Sequence, residues 1–378
     1  MAHQFFPKEV IGVIEALGVS YARLVGGAVR AFVKGGECPA DVDVATLWLP
    51  HEVTEKLEEK KLKVIPTGLK HGTVTVIAGA YQVEVTTLRE DMETDGRRAE
   101  VTFTKDWQKD SQRRDFTMNA MYLDLNGELY DWHNGEQDLA AGQVRFVGNV
   151  QDRVQEDYLR IFRYFRFSAH IGLPVDFQEV VAEMKPGLAG MKQLSAERIT
   201  HELFKLLEGQ YAVDVLAFIK DHHVLDVLGL VPQRLEDLEI ARHTWPSLEE
   251  LGCWYIVFGS YTDNPYIALS NRQKKDLILM NKAESLVEEL GLFPLAAATS
   301  KRAAMVARAM TAKRSAVMFL QHAEIPEFPL KGQDVLDIGI PAGERVGQLL
   351  GKVEEWWLQQ NLPDLDACKN HLVKLAKF

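Results

Sequence analysis

The chain has 378 residues, 47% of them hydrophobic and 26% charged, with a formal net charge of −11 at pH 7. This is the composition of an ordinary soluble protein, long enough for two to four domains with sizeable cores. The acidic balance argues against a protein that coats nucleic acid by bulk attraction, while leaving room for a local basic surface. In chain order, a helical pattern around Lys8 to Leu17 leads to a strand at Ala22 to Val25. A Gly26-Gly27 turn follows, then a helix from about Ala28 to Lys34 and a strand at 41 to 46. Residues 73 to 78 and 82 to 88 alternate and are rich in Val and Thr, with Gly79 between them, as in a hairpin. From Asp91 to Gln112 the sequence is highly charged and aperiodic, the mark of a mobile loop inserted in the sheet. Arg113-Arg114-Asp115-Phe116-Thr117-Met118-Asn119-Ala120-Met121 comes next, then a hairpin turning at Asn126-Gly127, and the sheet is expected to end near Trp132. Beyond residue 150 the pattern is helical almost to the end, with loops expected at Gly172 to Pro174, Pro186-Gly187, Pro246 and Pro326 to Pro329.

Strand alternation puts Asp41 and Asp43 on one edge while Val42 and Val44 face the core, so the two carboxylates can share a divalent metal. The run Gly26-Gly27-Ala28-Val29-Arg30 before them begins with backbone that has no Cβ atoms, whose amides can approach a phosphate closely. Loop and acids together read as a site for a metal-bound nucleoside triphosphate, and hence as nucleotidyl transfer. Glu84, opposite in facing to Val83 and Val85, is a candidate third acid. Arg113-Arg114-Asp115 sets two guanidiniums beside a carboxylate: arginine forks match phosphate oxygens and ribose hydroxyls in two-point geometry, and the aspartate can orient one fork or accept from a sugar hydroxyl.

Glu156-Asp157-Tyr158-Leu159-Arg160 places Arg160 four and three residues after the two acids, so on one helix the three side chains converge. Two readings stand. One is an intrahelical salt bridge; the other is base recognition, a carboxylate accepting from the exocyclic amino group of C or A and an arginine donating to the adjacent ring acceptor, a pattern that rejects U and G. Arg160, Arg163 and Arg166 recur at every third residue, and Lys301, Arg302, Arg308, Lys313 and Arg314 crowd a later segment. Both sets are candidate phosphate-binding stripes; Arg163 and Arg166 have the alternative of packing Phe162 and Phe165 against their stems.

Gly-Gly-Ala-Val-Arg, Asp-Val-Asp, Arg-Arg-Asp, then Asp138 with Gly142, Val144, Arg145 and Gly148, then Glu-Asp-x-x-Arg and Ser195-Ala196-Glu197-Arg198-Ile199 follow one another in this order. In this the chain resembles the class II tRNA nucleotidyltransferases, the bacterial and eukaryotic CCA-adding enzymes, which share a head with bacterial poly(A) polymerases. The resemblance is specific over about residues 20 to 210, and Leu330-Lys331-Gly332-Gln333-Asp334 through Trp357 is similar to the tail of proteobacterial members. It implies an α+β fold: a nucleotidyltransferase (DNA polymerase beta-like) head with a mixed sheet at 1–135, then an all-helical neck at 136–210 carrying the base template, a body at 211–290 and a tRNA-binding tail at 291–378. It also implies that Asp41 and Asp43 hold Mg²⁺, that Arg113, Arg114 and Asp115 contact the ribose, and that Glu156, Asp157 and Arg160 form the template for CTP and ATP. The segment with Asp138 and Arg145 would flex between C and A addition, and the helix with Glu197 and Arg198 would brace the template. Ala31 stands where an Asp commonly follows the Gly-Gly-x-Val-Arg run.

The expected function is addition of C, C and A to the 3′ end of tRNA from CTP and ATP, with release of pyrophosphate by a two-metal mechanism. A poly(A) polymerase and an A-adding relative share the same head, and the charged segment at 91 to 112 speaks against CC-only addition. An antibiotic-modifying nucleotidyltransferase has no reason to keep Glu-Asp-x-x-Arg or a long helical tail. A catalytically inactive RNA-binding module is the rival of another class, and retention of both aspartates speaks against it. Cys38, Cys253 and Cys368 are too widely spaced for a metal-binding pair and too few for a disulfide framework, which suits a reducing compartment. With no basic, then apolar, N-terminal run and no stretch long and apolar enough to span a bilayer, no membrane partner is expected and the cytoplasm is the expected location.

Overall fold

The computed structural model describes residues 2–69, 72–91, 101–244, 250–259, 264–275, 277–278, 327–360 and 362–376. Packing divides the chain into two units, Met1–Leu194 with Gly209–Tyr211, and Ser195–Glu208 with Ala212–Phe378. The expected division into head, neck, body and tail has four parts, and its neck, 136–210, has residues in both units.

The first unit runs α1 (Ala2–Phe5), α2 (Lys8–Leu17), β1 (Ala22–Val25), α3 (Gly27–Val33), β2 (Asp41–Thr46), α4 (Pro50–Glu59), β3 (Lys63–Gly68), β4 (Thr73–Ala78), β5 (Tyr81–Thr87), β6 (Arg89–Asp91), β7 (Val101–Phe103), α5 (Trp107–Gln112), β8 (Tyr122–Leu123), β9 (Leu129–Tyr130), α6 (Gly135–Ala140), α7 (Val150–Glu156), α8 (Leu159–Ile171) and α9 (Phe177–Met184). Seven strands form one mixed sheet in the order β3-β4-β5-β2-β1-β8-β9, in which β2 and β5 pair in parallel and the other neighbours antiparallel. Val42 and Val44 of β2, Val74 and Val76 of β4, and Val83 and Val85 of β5 point to one face and are fully buried. The helices α2 and α4 pack on these strands. Val10, Ile11, Val13, Ile14 and Leu17 make the apolar stripe of α2, and Val53 and Leu57 that of α4. Each such side chain contributes about 1.5–3 kcal/mol on burial, so the sheet's other face is left for polar work.

α4 and β3 add to the elements expected from the sequence. The start of α4 is set by Pro50 in its first turn and by the Glu52 carboxylate, which accepts from the Leu49 N–H at 2.8 Å. The stretch from Asp91 to Gln112, expected as a mobile loop, is partly regular. Arg89, Glu90 and Asp91 pair antiparallel with Val101, Thr102 and Phe103, and Asp106 caps α5 by accepting from the N–H groups of Gln108 and Lys109 at 2.9 and 3.2 Å. Two three-residue strands outside the main sheet and one short capped helix need no long apolar stripe, which is why periodicity did not reveal them. Residues 92–100 of that expectation lie outside the described residues. The Asn126-Gly127 hairpin forms, with Leu123 opposite Leu129 and Gly127 at φ 90°.

Pro186-Gly187, expected as a loop, instead enters a 3-10 helix over Lys185–Gln193. Pro186 falls in its first turn, where a missing N–H costs nothing, and a Cβ on Gly187 would lie 2.3 Å from Val154 Cγ1, so close packing explains the glycine. Gly172 does end α8, at φ 144°.

The described residues of the second unit are helical, in α10 (Ala196–Leu207), α11 (Ala212–Asp221), α12 (Leu235–Thr244), α13 (Glu250–Phe258), α14 (Gly332–Asp337), α15 (Glu344–Gln359) and α16 (Leu365–Ala376), with a 3-10 turn at Asp226–Leu228. Ser195 caps α10, which carries Glu197 and Arg198. Trp254 packs between Phe204 and Phe258, and Val335, Leu349, Val353, Trp357, Cys368 and Leu372 close a small core among α14, α15 and α16. Pro246, Pro326 and the basic cluster Lys301, Arg302, Arg308, Lys313 and Arg314 lie outside the described residues. No helix among the described residues is long and apolar enough to cross a membrane.

Candidate active site

The parallel register of β2 and β5 sets Asp43 beside Glu84 and Asp41 beside Gln82. All three acids therefore stand on the face opposite the buried valines, and all three reach solvent. Desolvation by the surrounding protein raises the pKa of Asp43; Arg114, Arg30 and Arg163 pull it down and Asp41 pushes it up. The same cause, aided by the charges of Asp43 and Asp41, raises that of Glu84. Among the described residues no group of three acidic, histidine or cysteine side chains is gathered closely enough to hold a metal by itself. The donor set is the pair Asp41 and Asp43, with Glu84 alongside.

Gly26 precedes α3 with φ 67° and ψ −129°, a conformation that side chains disfavour. A Cβ there would sit 2.9 Å from Asp43 Oδ2, so the glycine is what leaves room for that carboxylate. Gly27 opens α3, and Arg30, one turn on, turns its guanidinium inward to donate to Asn119 Oδ1 with its carbon 4.9 Å from the Phe167 ring centre. Burial lowers the Arg30 pKa to about 10, with Arg166 and Arg163 adding to the fall against Asp115 and Asp43; it stays charged at neutral pH. Ala31 follows, half-buried.

Arg113, Arg114 and Asp115 do not pair with one another. Arg113 Nε donates to Asp110 Oδ1 at 2.9 Å and to the Arg89 carbonyl at 3.1 Å. Arg114 binds Asp110 Oδ2 through Nη2 at 3.0 Å and Tyr122 Oη through Nε at 2.9 Å. Asp115 accepts from Asn119 Nδ2 at 2.9 Å, from the Phe116 N–H at 2.9 Å, and from Arg163 at 2.6 Å. Burial would raise its pKa, but Arg163, Asn119 and the Phe116 amide hold it at about 2. Asp115 therefore orients neither of the two neighbouring forks, as the sequence suggested it could; Asp110 holds those, and the arginine that Asp115 holds is Arg163. Arg163 and Arg166 both approach the Phe167 ring, at 5.4 and 4.8 Å.

The run Glu156 to Arg160 does not lie on one helix, as the spacing suggested. Glu156 ends α7, Asp157 is extended at φ −150° and ψ 106°, and Leu159 begins α8. The physical reason is a cap: Asp157 Oδ1 accepts from the Leu159 N–H at 3.0 Å, offering that backbone an alternative to continuing the helix. Glu156 still reaches Arg160 at 2.5 Å and also binds Arg153 at 2.5 Å. Arg160 donates in addition to the carbonyls of Arg153 at 2.9 Å and Arg113 at 2.8 Å. Three of its five N–H donors are so engaged, which leaves two for a ligand. The salt-bridge reading is therefore seen in the structure, and it does not displace the base-recognition one.

Thr117 donates to Asp138 Oδ2 at 2.7 Å and Arg145 Nε to Asp138 Oδ1 at 3.2 Å, tying α6 to the segment after Asp115. Sequence reasoning missed Asp110, Asn119, Tyr122 and Phe167 as parts of the site. For Asp110 a signal existed in its spacing of three and four from Arg113 and Arg114; for the others only the fold brings them in.

Residues 22–145 match the family model described as the Poly A polymerase head domain. The mouse mitochondrial CCA tRNA nucleotidyltransferase 1 is 35% identical over 360 residues, which cover 89% of this chain and 82% of that protein. The chain belongs to the CCA tRNA nucleotidyltransferase family. The CCA-adding enzyme of Oceanobacillus iheyensis is 40% identical over 216 residues, 57% of this chain and 52% of that one. A crystal structure of the Bacillus stearothermophilus CCA-adding enzyme in complex with CTP superposes with a TM-score of 0.77 at 26% identity, covering 98% of this chain and 97% of that one. Members of the CCA tRNA nucleotidyltransferase family are enzymes, and the expected fold class, a nucleotidyltransferase head on a mixed sheet followed by helices, is borne out.

Proposed function

We propose that this chain extends the 3′ end of tRNA with C, C and A, taking CTP and ATP as substrates and releasing pyrophosphate. The observation that carries this reading is that the acid pair and the arginines meet in one packing unit, the charges of Arg114, Arg30 and Arg163 all acting on Asp43. Hard carboxylate oxygens ringed by guanidiniums suit a polyphosphate bound with a divalent cation. Mg²⁺ fits Asp41 and Asp43 in particular: it takes one or two carboxylates and leaves its other positions to substrate phosphates and water, and the missing Cβ of Gly26 keeps the space beside Asp43 Oδ2 open. When bound, the ion supplies Lewis-acid polarisation of the α-phosphate, a lowered pKa for the attacking hydroxyl and a counter-charge for pyrophosphate. Glu84, the strand partner of Asp43, shapes the field at Asp43 and completes the acid set in this reading.

The protein's own residues then divide the work. Gly26, Gly27 and Arg30 shape the turn against the triphosphate, and Arg163, oriented by Asp115, faces the same charge. Arg113 and Arg114 contact phosphate or ribose with the forks that Asp110 holds. Asp157 accepts from the exocyclic amino group of C or A and Arg160 donates to the neighbouring ring acceptor, with Glu156 bracing Arg160. In this reading residues 1–135 are the head, 136–210 the neck with the template, 211–290 the body and 291–378 the tail that meets tRNA. The three free thiols suit a reducing compartment, the cytoplasm in our reading.

Equilibrium binding of the four nucleoside triphosphates with Mg²⁺ tests the template. CTP and ATP should bind more tightly than UTP and GTP by the roughly 5- to 150-fold that a good two-point base contact of about 1–3 kcal/mol gives. Equal affinity for all four would refute it.

A further inference from the structure

Asp110 belongs to none of the runs that mark the family in this sequence, yet its carboxylate gathers donors from four residues. Oδ1 accepts from Arg113 Nε at 2.9 Å and from the Arg89 N–H at 3.0 Å. Oδ2 accepts from Arg114 Nη2 at 3.0 Å and from the Tyr122 hydroxyl at 2.5 Å. The side chain is 1% exposed. We infer that Asp110 is a positioning residue, which fixes the two arginine forks at the nucleotide site and, through Arg113, the seat of Arg160. The inference rests on the function proposed above.

The geometry separates this role from simple stability. Stability alone does not call for it, because well-packed apolar residues in place of a buried ion-pair cluster are often as stable, and the start of α5 is already capped by Asp106. The arrangement does supply direction. One oxygen serves each arginine, so the angle between the two forks is set by a single planar group. Arg113 and Arg114 are themselves only 14% and 17% exposed, and without Asp110 each would have to seek another partner or turn toward water. One consequence follows at the site. The Arg113 carbonyl holds Arg160 Nη2 at 2.8 Å, so a shift of Arg113 moves the guanidinium proposed to read the base. The Arg89 amide adds a third link, from the β6–β7 hairpin to the same carboxylate.

The test is Asp110→Asn in the full-length chain, read by the affinity for CTP with Mg²⁺, by KM and kcat for CTP and ATP on tRNA lacking its 3′ CCA, and by the ratio of CTP to UTP use. We expect Kd and KM to rise tenfold or more, kcat to fall less, and the CTP/UTP ratio to drop at least fivefold. Asp110→Glu, which keeps the charge, should recover part of the affinity. Leu57→Ala, a buried change in α4, serves as the control: at a matched loss of melting temperature it should leave Kd and the CTP/UTP ratio unchanged. If Asp110→Asn does not fold, Tyr122→Phe decides, because it takes one donor from Asp110 and one acceptor from Arg114 Nε and keeps both ion pairs; it should raise Kd for CTP two- to threefold. Wild-type Kd and CTP/UTP ratio in the folded Asp110→Asn variant, or in Tyr122→Phe where that variant decides, would overturn the inference, as would the same losses in Leu57→Ala. Failure of the unmodified protein to add C or A would instead overturn the function on which the inference rests.

Discussion

Replacing Gly26 with Ala tests the site at its tightest point. The new Cβ would lie 2.9 Å from Asp43 Oδ2, where ordinary contact begins at 3.4 Å, so the carboxylate or the turn must give by about half an ångström. The backbone at φ 67° adds strain of about 1–3 kcal/mol, which a chain with an ordinary stability of about 5–15 kcal/mol survives. Misplacement by 1 Å typically costs on the order of a hundredfold in rate, so the variant should be folded and at least tenfold slower in CMP incorporation. Gly35→Ala is the matched control: it has the same φ of 67° but nothing within 4 Å of its Cβ position, so it should lose similar stability in urea and keep its rate. Equal rates for the two variants would refute the reasoning that Gly26 makes room for Asp43.

Asp41→Ala or Asp43→Ala should remove most incorporation while leaving tRNA binding in a gel-shift assay largely intact, because that affinity comes from distant phosphate contacts. Arg160→Ala should weaken use of both CTP and ATP and admit UTP or GTP, by the factor that about 1–3 kcal/mol allows; retained selectivity with lost stability would leave only the salt bridge to Glu156. Asp110 and Asp115 both titrate at about 2 in the folded chain against an ordinary 3.8, since their arginines outweigh the cost of burial. Depressed carboxylate pKa values stabilise above the unfolded value, so this stability should be complete above pH 3.8 and drain away as the pH falls towards 2, with a shallower loss in Asp115→Asn. Shortening the segment within Asp91 to Gln112 should leave products ending in CC, read by sequencing their 3′ ends, whereas equal loss of C and A addition would make the segment a general support.

Local signals made much of the head legible. The α2, β1 and β2 boundaries followed from apolar period and glycine, and the exposed Asp41 and Asp43 from strict alternation against Val42 and Val44. What escaped has definite physical causes. α4 and β3 were missed although Pro50 and Glu52 mark the helix start, and β6 and β7 are too short to show a period. The break at Asp157 turns on one side chain choosing a backbone N–H over the solvent, a choice that residue spacing does not encode. The pairing of Asp115 with Arg163, 48 positions apart, and of Arg30 with Asn119, 89 apart, arises only once α8 and α3 are packed against the segment after α5. Asp110 lay within reach of sequence reasoning, because its two partners sit one helical turn away, but the aperiodic charge around it masked the helix.

The most direct measurement is to incubate the protein with a tRNA transcript ending at its discriminator base, all four nucleoside triphosphates and Mg²⁺, and to sequence the 3′ ends. The assignment requires three added nucleotides, C, C and A, and then a stop. No incorporation, or a long run of A, would contradict it.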